Sequence, residues 1–451
     1  MAVKHMPEND WGNVNGSLLK HKIYTDTLCN NEEFRNRNLW PRPLARKWTF
    51  MLFVGTCLLY CARTTMPICA VNMAATFHWS KIDSGLVLGG FYWGYCFTQI
   101  LGGYASDKLG GERVLFISTT LWAVTTCATP LLTELGSHTF ALMIIARSLM
   151  GVLQGVFFPS LASLCSQRVV EGERGFLMST MHSGCYLGTL LAGGMGSFML
   201  DSHSWKSMFY CTGFLSILWS LLVWRCFLRG DVTPAPLERS SSSVWTWSRL
   251  LSLLKKPPVW SMVFAHMCIS CTSNTIMSWL PTYFKESFPH ATGWTYNLIP
   301  WLAAIPSALS GGYVSDFLVK QGYSISAMRK IMQFFAMGAS SLFIMVLCGG
   351  MFTSFNSALA FLSIAVGLST FTSCGVSVNV QDLAPSCAGA LYGFMNMLGA
   401  FMGLVVVALS GYLIEVTQSW ASVFSLIGLI NVTGLVIFLV FGDAHRVDLE
   451  V

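Results

Sequence analysis

Two arginines lie where a membrane would have to tolerate them. Arg63 sits in Tyr60-Cys61-Ala62-Arg63-Thr64-Thr65-Met66-Pro67 and Arg147 in Ile144-Ile145-Ala146-Arg147-Ser148-Leu149-Met150-Gly151, each inside an apolar run. A charge near the bilayer centre costs at least about 2.5–3.5 kcal/mol, so such a residue faces a cavity and finds a partner. No acid offers itself. Asp107, Asp316 and Asp382 fall at one set of run ends, and Asp83, Asp201, Glu286 and Glu415 near the other. Two guanidiniums without a fixed counter-charge point to an anionic substrate, because guanidinium pairs with phosphate or carboxylate through parallel hydrogen bonds. The competing assignment is a hydrogen bond from each arginine to carbonyls of a neighbouring helix.

Proton-coupled carriers use Asp, Glu or His inside the membrane. Here only His182 and His266 lie in apolar runs, and a lone membrane histidine is more often a packing residue. The simplest energetics is therefore an electrogenic uniporter, on which 100 mV acts with about 2.3 kcal/mol per transferred charge. Tyr95 and Gln99, one helical turn apart after the aromatic run Phe91-Tyr92-Trp93-Gly94-Tyr95, are placed to line a cavity near Arg63. Asn274, Trp279 and Trp301 are placed to do so from the other half of the chain. For each single aromatic, ordinary packing is the competing assignment, although base–aromatic stacking is open to it.

The elements that must position these residues follow from composition. Of 451 residues, 27 are basic and 21 acidic, only 11% in all, while hydrophobic residues reach 53% and mean hydropathy is +0.56. Soluble domains carry about 25% charged residues. The chain is thus an all-α membrane protein, since helices are the open choice for spans of about 20 apolar residues. Twelve spans are expected, at 46–70, 84–105, 112–133, 139–165, 175–200, 206–228, 258–283, 296–319, 328–350, 356–378, 387–413 and 419–441. They form two six-helix halves, 46–228 and 257–441, joined by a polar linker at 229–256 and flanked by tails at 1–45 and 442–451. Trp245, Trp247, Leu250 and Leu251 suggest a short amphipathic helix in the linker. The tails, the linker and the loops on their side hold 22 Lys and Arg, against three in the opposite loops. The positive-inside rule then places both termini in the cytosol, with the first span as its own insertion signal. The 15 cysteines sit mostly in apolar runs and read as small buried hydrophobes rather than a disulfide framework.

The halves share a repeat. Gly102-Gly103-Tyr104-Ala105-Ser106-Asp107 closes span two and Gly311-Gly312-Tyr313-Val314-Ser315-Asp316 closes span eight, at matching positions. Such duplication marks a transporter with pseudo-two-fold symmetry. Gly103, Asp107, Gly110 and Arg113 resemble the signature of the major facilitator superfamily between spans two and three. A gating role follows for Gly103, Asp107, Arg113, Asp316 and Arg329: Asp107 is placed to cap a neighbouring helix and pair with a nearby Arg in one conformation. A purely topogenic charge cluster is the alternative. His266-x-Cys268-x-x-Cys271 lies in one apolar helix without a second cluster and is not read as a metal site. No GxxxxGK[ST] loop is present, so ATP-driven pumping is not expected.

Several stretches resemble the organic-anion branch of that superfamily, which includes vesicular glutamate, sialate and nucleotide carriers and sodium–phosphate cotransporters. They are Phe91 to Tyr95 with Thr98-Gln99, then Arg147 with Gly151, Gln154-Gly155-Val156 and Pro159, and Asn379-Val380-Gln381-Asp382-Leu383-Ala384-Pro385. Gly55 to Arg63, Pro300 to Pro306, Gln381 to Gly389 and the tail Arg446-Val447-Asp448-Leu449 resemble its nucleotide carriers. The resemblance implies loading of ATP, with ADP and GTP, into secretory vesicles and lysosomes. The inside-positive potential of a vesicular proton pump would drive it, with chloride as an activating ion and no other cofactor. Arg147 matches the arginine the branch needs for anion transport, and Arg63 its partner in span one. Proton-coupled members carry Glu where Gln154 stands, and glutamate carriers place His, Arg and His at Leu88, Ile269 and Trp301, so a glutamate substrate is not supported. The expected partners are the nucleotide and the bilayer, without nucleic acid, for a monomer that is not an enzyme. The alternatives are a carrier of another organic anion, such as phosphate, sialate or an acidic amino acid, and an anion channel.

Overall fold

The structure is a computed structural model that describes residues 39–448 except 80, 135–137, 203, 229–246, 292 and 350–353. Much of the amino-terminal tail, most of the linker including Trp245, and Leu449 to Val451 therefore lie outside the described residues. Among the described residues the chain makes twelve long helical rods. The first half holds α1 (Arg42–Phe77), α2 (Lys81–Leu109), α3 (Gly111–Leu132), α4 (Thr139–Gly155, carried on after Val156 by Phe157–Arg168), α5 (Arg174–Ser202) and α6 (Trp205–Val223). The second holds α7 (Pro257–Ser287), α8 (Gly293–Lys320), α9 (Ile325–Gln333 extended to Val346), α10 (Phe355–Ser369 extended to Leu383), α11 (Ala388–Thr417) and α12 (Trp420–Phe441). A seven-residue helix, Trp247–Leu253, precedes α7 and buries Leu250 and Leu253.

By length and composition, eight of the described helices are apolar enough to cross a membrane. The rods exceed the apolar windows, because a helix continues past its apolar run until a cap ends it. α1 runs on to Phe77 and stops at His78, which is left-handed with φ 56°. The starts of α6, α9 and α12 are capped by Ser204, Ser324 and Ser419, whose side chains accept from Lys206 N, Ala327 N and Ala421 N. α9 and α10 are not continuous α-helix: α9 passes through a π turn at Phe334–Ala339 and α10 through a 3-10 turn at Thr370–Ser373.

Within the first half α2 packs on α4, and α1 on α5; within the second, α7 packs on α11 and α12. The halves meet at two equivalent seams, α2 against α11 and α5 against α8. Both seams run down to the ends that carry the chain termini, called here the tail side.

Candidate functional site

Close approach of α2 and α4 creates the centre of the first half. A Cβ on Gly94 would stand 2.0 Å from the Ser148 carbonyl oxygen, and one on Gly151 2.0 Å from that of Phe91. This contact sets Arg147 against the buried Phe91 ring, 5.1 Å from its centroid. Arg63 comes from α1 to the same ring at 4.9 Å, and also lies 4.7 Å from the Tyr60 ring and 4.8 Å from that of Tyr95. Two guanidiniums thus share one aromatic ring, which limits their separation to about 10 Å, twice the ring contact.

Neither arginine has a carboxylate partner, and neither donates to a backbone carbonyl among the described residues. Arg63 Nε donates to Gln154 Oε1 at 3.2 Å, while its Nη2 is buried without a partner. Arg147 is 4% exposed; its Nη1 meets only the Met150 sulfur at 3.6 Å, and its Nε has no partner. Helix–helix carbonyl bonding is therefore not what holds them.

A cavity of about 280 Å³ lies between the halves. Tyr60, Tyr95 and Tyr186 line it from the first half, and His266, Asn274 and Trp301 from the second. Neither arginine lines it: Arg63 lies on the rings of Tyr60 and Tyr95, which do, and Arg147 lies on Phe91, which stacks on Tyr95. Tyr95, Asn274 and Trp301 take the expected wall positions, and Trp301 stacks on Tyr186 across the seam at 6.0 Å and 23°. Gln99 does not line the cavity. It is fully buried in the α2–α11 seam, where its Oε1 accepts from Asn396 Nδ2 at 3.1 Å. Trp279 also departs from expectation: its Nε1 donates to the Val407 carbonyl at 3.2 Å and its ring meets Trp420. Asn396, which sequence reasoning missed, donates as well to the Tyr95 hydroxyl at 3.1 Å and so ties α11 to α2 beside the cavity. Its signal was a lone amide in the middle of the eleventh apolar run.

On the tail side the duplicated motif forms two matching latches. Asp107 at the end of α2 accepts from Gly389 N and Ala390 N, both at 3.1 Å, at the start of α11. Asp316 at the end of α8 accepts from Gly175 N at 3.2 Å and Phe176 N at 2.7 Å, at the start of α5. A carboxylate on a helix N-terminus gains from both the free N–H groups and the helix dipole. The glycines of the motif make the contact possible: a Cβ on Gly103 would stand 2.1 Å from the Gly389 oxygen, and one on Gly312 2.7 Å from the Ser179 side chain.

Arg329 donates from Nε to Asp382 Oδ2 at 2.9 Å and from Nη1 to Ser315 and the Cys374 carbonyl. The expected counterpart Arg113 is exposed and makes no ion pair or hydrogen bond among the described residues. Nor does Asp107 pair with any arginine there. At the equivalent place Glu112 takes the pair instead, with Arg168 Nε at 2.8 Å, so the two halves carry the same bridge with its charges reversed. Arg174, assigned only a topogenic role from sequence, is fully buried. It reaches across the halves to the Gln381 carbonyl at 3.1 Å and to Asp382 at 3.5 Å. These contacts close the tail side.

The sequence profile described as Major Facilitator Superfamily matches residues 52–407. The chain belongs to the major facilitator superfamily. This facilitator is 47% identical over 419 residues to the voltage-gated purine nucleotide uniporter SLC17A9 of Mus musculus, covering 91% of this chain and 92% of that one. It is 46% identical over 420 residues to the protein of the same name in Homo sapiens, covering 91% and 95%. Among solved structures the proton:xylose symporter XylE superposes with a TM-score of 0.70 at 15% identity, covering 90% of this facilitator and 97% of that chain.

Proposed function

We propose that this facilitator is a potential-driven carrier of purine nucleotides by alternating access, moving ATP, with ADP and GTP, out of the cytosol. The observation that carries the reading is the pair of arginines on Phe91, two cations with unused donors and no acid, set among aromatic rings beside a cavity between the halves. Phosphate oxygens are the acceptors that guanidinium forks fit. Desolvation keeps the two cations unfavourable until an anion reaches them, which favours a multivalent substrate over a monovalent one. The names of its relatives support the nucleotide, and the charge asymmetry of its loops supports tails in the cytosol.

The tail-closed form described above is then the lumen-facing one. Loading from the cytosol requires both latches to part and the α2–α11 and α5–α8 seams to open. An ATP molecule carrying four negative charges gains on the order of 9 kcal/mol from a 100 mV inside-positive potential, so no proton need be coupled. Residence in secretory vesicles and lysosomes, where a proton pump supplies that potential, action as a monomer and activation by chloride belong to the same proposal. The test is uptake of labelled ATP by the purified protein in liposomes with an imposed inside-positive potential. Uptake should follow the potential and fall below a tenth in Arg147→Ala. Uptake indifferent to the potential, or unchanged by the substitution, overturns the reading.

A further inference from the structure

Most serines and threonines inside these rods donate to a carbonyl of their own helix. Thr272 and Thr275 of α7 do so, to the carbonyls of Cys268 and Cys271, and Thr272 also donates to Asn431 Oδ1 at 2.7 Å. The opposite face of α7 behaves differently. His266, Ser270, Ser273 and Asn274 recur at helical spacing and all line the cavity. None of the four makes a hydrogen bond of normal geometry among the described residues. His266 is only 7% exposed, yet both its ring nitrogens lack a partner. The neighbouring Asn396 spends its Nδ2 on Tyr95 and Gln99, which leaves its Oδ1 as the one side-chain group near the imidazole, outside normal hydrogen-bond geometry.

A polar group left unpaired in a buried place costs free energy, which is the position of the His266 ring; Ser270 and Asn274 are half-buried and Ser273 is exposed, so their polar groups stand open to whatever fills the cavity. The backing of the stripe is shaped for it. A Cβ on Gly399 would stand 2.8 Å from Ser270 Oγ and 3.0 Å from the His266 ring, and one on Gly403 2.2 Å from Asn274 Nδ2. Two glycines one turn apart on α11 thus make room for an imidazole and an amide where larger residues would press on them. Trp301, stacked with Tyr186, supplies a flat apolar surface on the same cavity.

We infer that the cavity face of α7, His266 with Ser270 and Asn274, is the nucleoside-reading wall of this carrier. It takes the ribose and base beside Trp301, while the phosphates point to Arg63 and Arg147. This rests on the nucleotide reading above and adds to it the orientation of the ligand. The chemistry fits on both sides. A neutral imidazole presents one donor and one acceptor, a carboxamide presents both, and ribose hydroxyls and a purine edge offer the complements. A site that hydrogen-bonds its ligand rejects analogues lacking those groups, because its own buried groups are then left unpaired.

The experiment is competition against labelled ATP uptake in liposomes by unlabelled ATP, GTP, UTP and inorganic tripolyphosphate, which carries the charge without the nucleoside. Wild type should prefer ATP to tripolyphosphate. His266→Ala and Asn274→Ala should each shrink that preference at least tenfold by weakening ATP, with tripolyphosphate unchanged. His266→Gln, which keeps a donor and an acceptor, should recover part of it and guards against a merely misfolded variant. No preference in wild type, a preference unchanged in both alanine variants, or an equal loss for every competitor overturns the inference. Absence of ATP uptake by the wild type would instead sink the proposed function.

Discussion

Asp107→Asn separates a gate from a pair of local helix caps. The carboxylate holds Gly389 N and Ala390 N, each at 3.1 Å. Asparagine keeps one acceptor oxygen but loses the second bond and the charge facing the α11 N-terminus. A hydrogen bond to a charged group is worth about 1.5–3 kcal/mol, and a charge on a helix end about 0.3–1 kcal/mol. A loss of about 2 kcal/mol from the tail-closed state multiplies the population of the open state about thirtyfold. Hydrogen exchange in detergent or nanodiscs reads this directly, because the amides in question are the ones that exchange. If α2–α11 and α5–α8 part in one rocking motion, exchange at Gly175 and Phe176 rises about thirtyfold too, although Asp316 still holds both. If exchange rises at Gly389 and Ala390 alone, the two latches act independently and the single-gate reasoning is wrong.

Gln154→Glu places a carboxylate where Arg63 Nε now finds an amide oxygen at 3.2 Å. Ionised, it neutralises that arginine, so ATP uptake at neutral pH should fall at least tenfold and recover partly as the medium is acidified and the carboxyl protonates; a flat pH response refutes the pairing. Asp448 is 7% exposed, accepts from Ser386 N at 3.0 Å and pairs with Arg446, while Val447 N donates to the Leu383 carbonyl at 2.8 Å. Asp448→Ala should therefore cost about 1–3 kcal/mol locally and raise hydrogen exchange at Ser386 at least fivefold, and unchanged exchange there would show the tail is not clasped.

The paired arginines were legible in the sequence because membrane insertion penalises charge so heavily that two survivors stand out. The duplicated latch was legible because five residues of a six-residue motif recur at matching positions in two halves. The partners of these residues were not. Asp107 and Asp316 bind backbone N–H groups of Gly389, Ala390, Gly175 and Phe176, and a backbone donor leaves no mark in side-chain pattern. Glu112 rather than Arg113 takes the bridge, a choice between adjacent residues that depends on which side of α3 meets α4. Gln99 and Trp279 were drawn to the cavity by their polarity and aromatic size, yet helix rotation turns one into the seam and the other toward α11 and α12.

By itself, the sequence determined depth and count: where apolar runs begin and end, which side the cations crowd, and which two charges remain inside. Those follow from transfer free energies that each residue carries wherever it goes. Tertiary structure alone decided direction. The rotation of α7 turns His266, Ser270 and Asn274 to one cavity while Thr272 and Thr275 face away, and the approach of α2 to α4 sets Arg147 on Phe91, where Arg63 of α1 joins it. Hydrogen bonds and ring contacts act over a few ångströms, so they depend on the relative rotation and offset of helices far apart in the chain, which no local pattern encodes.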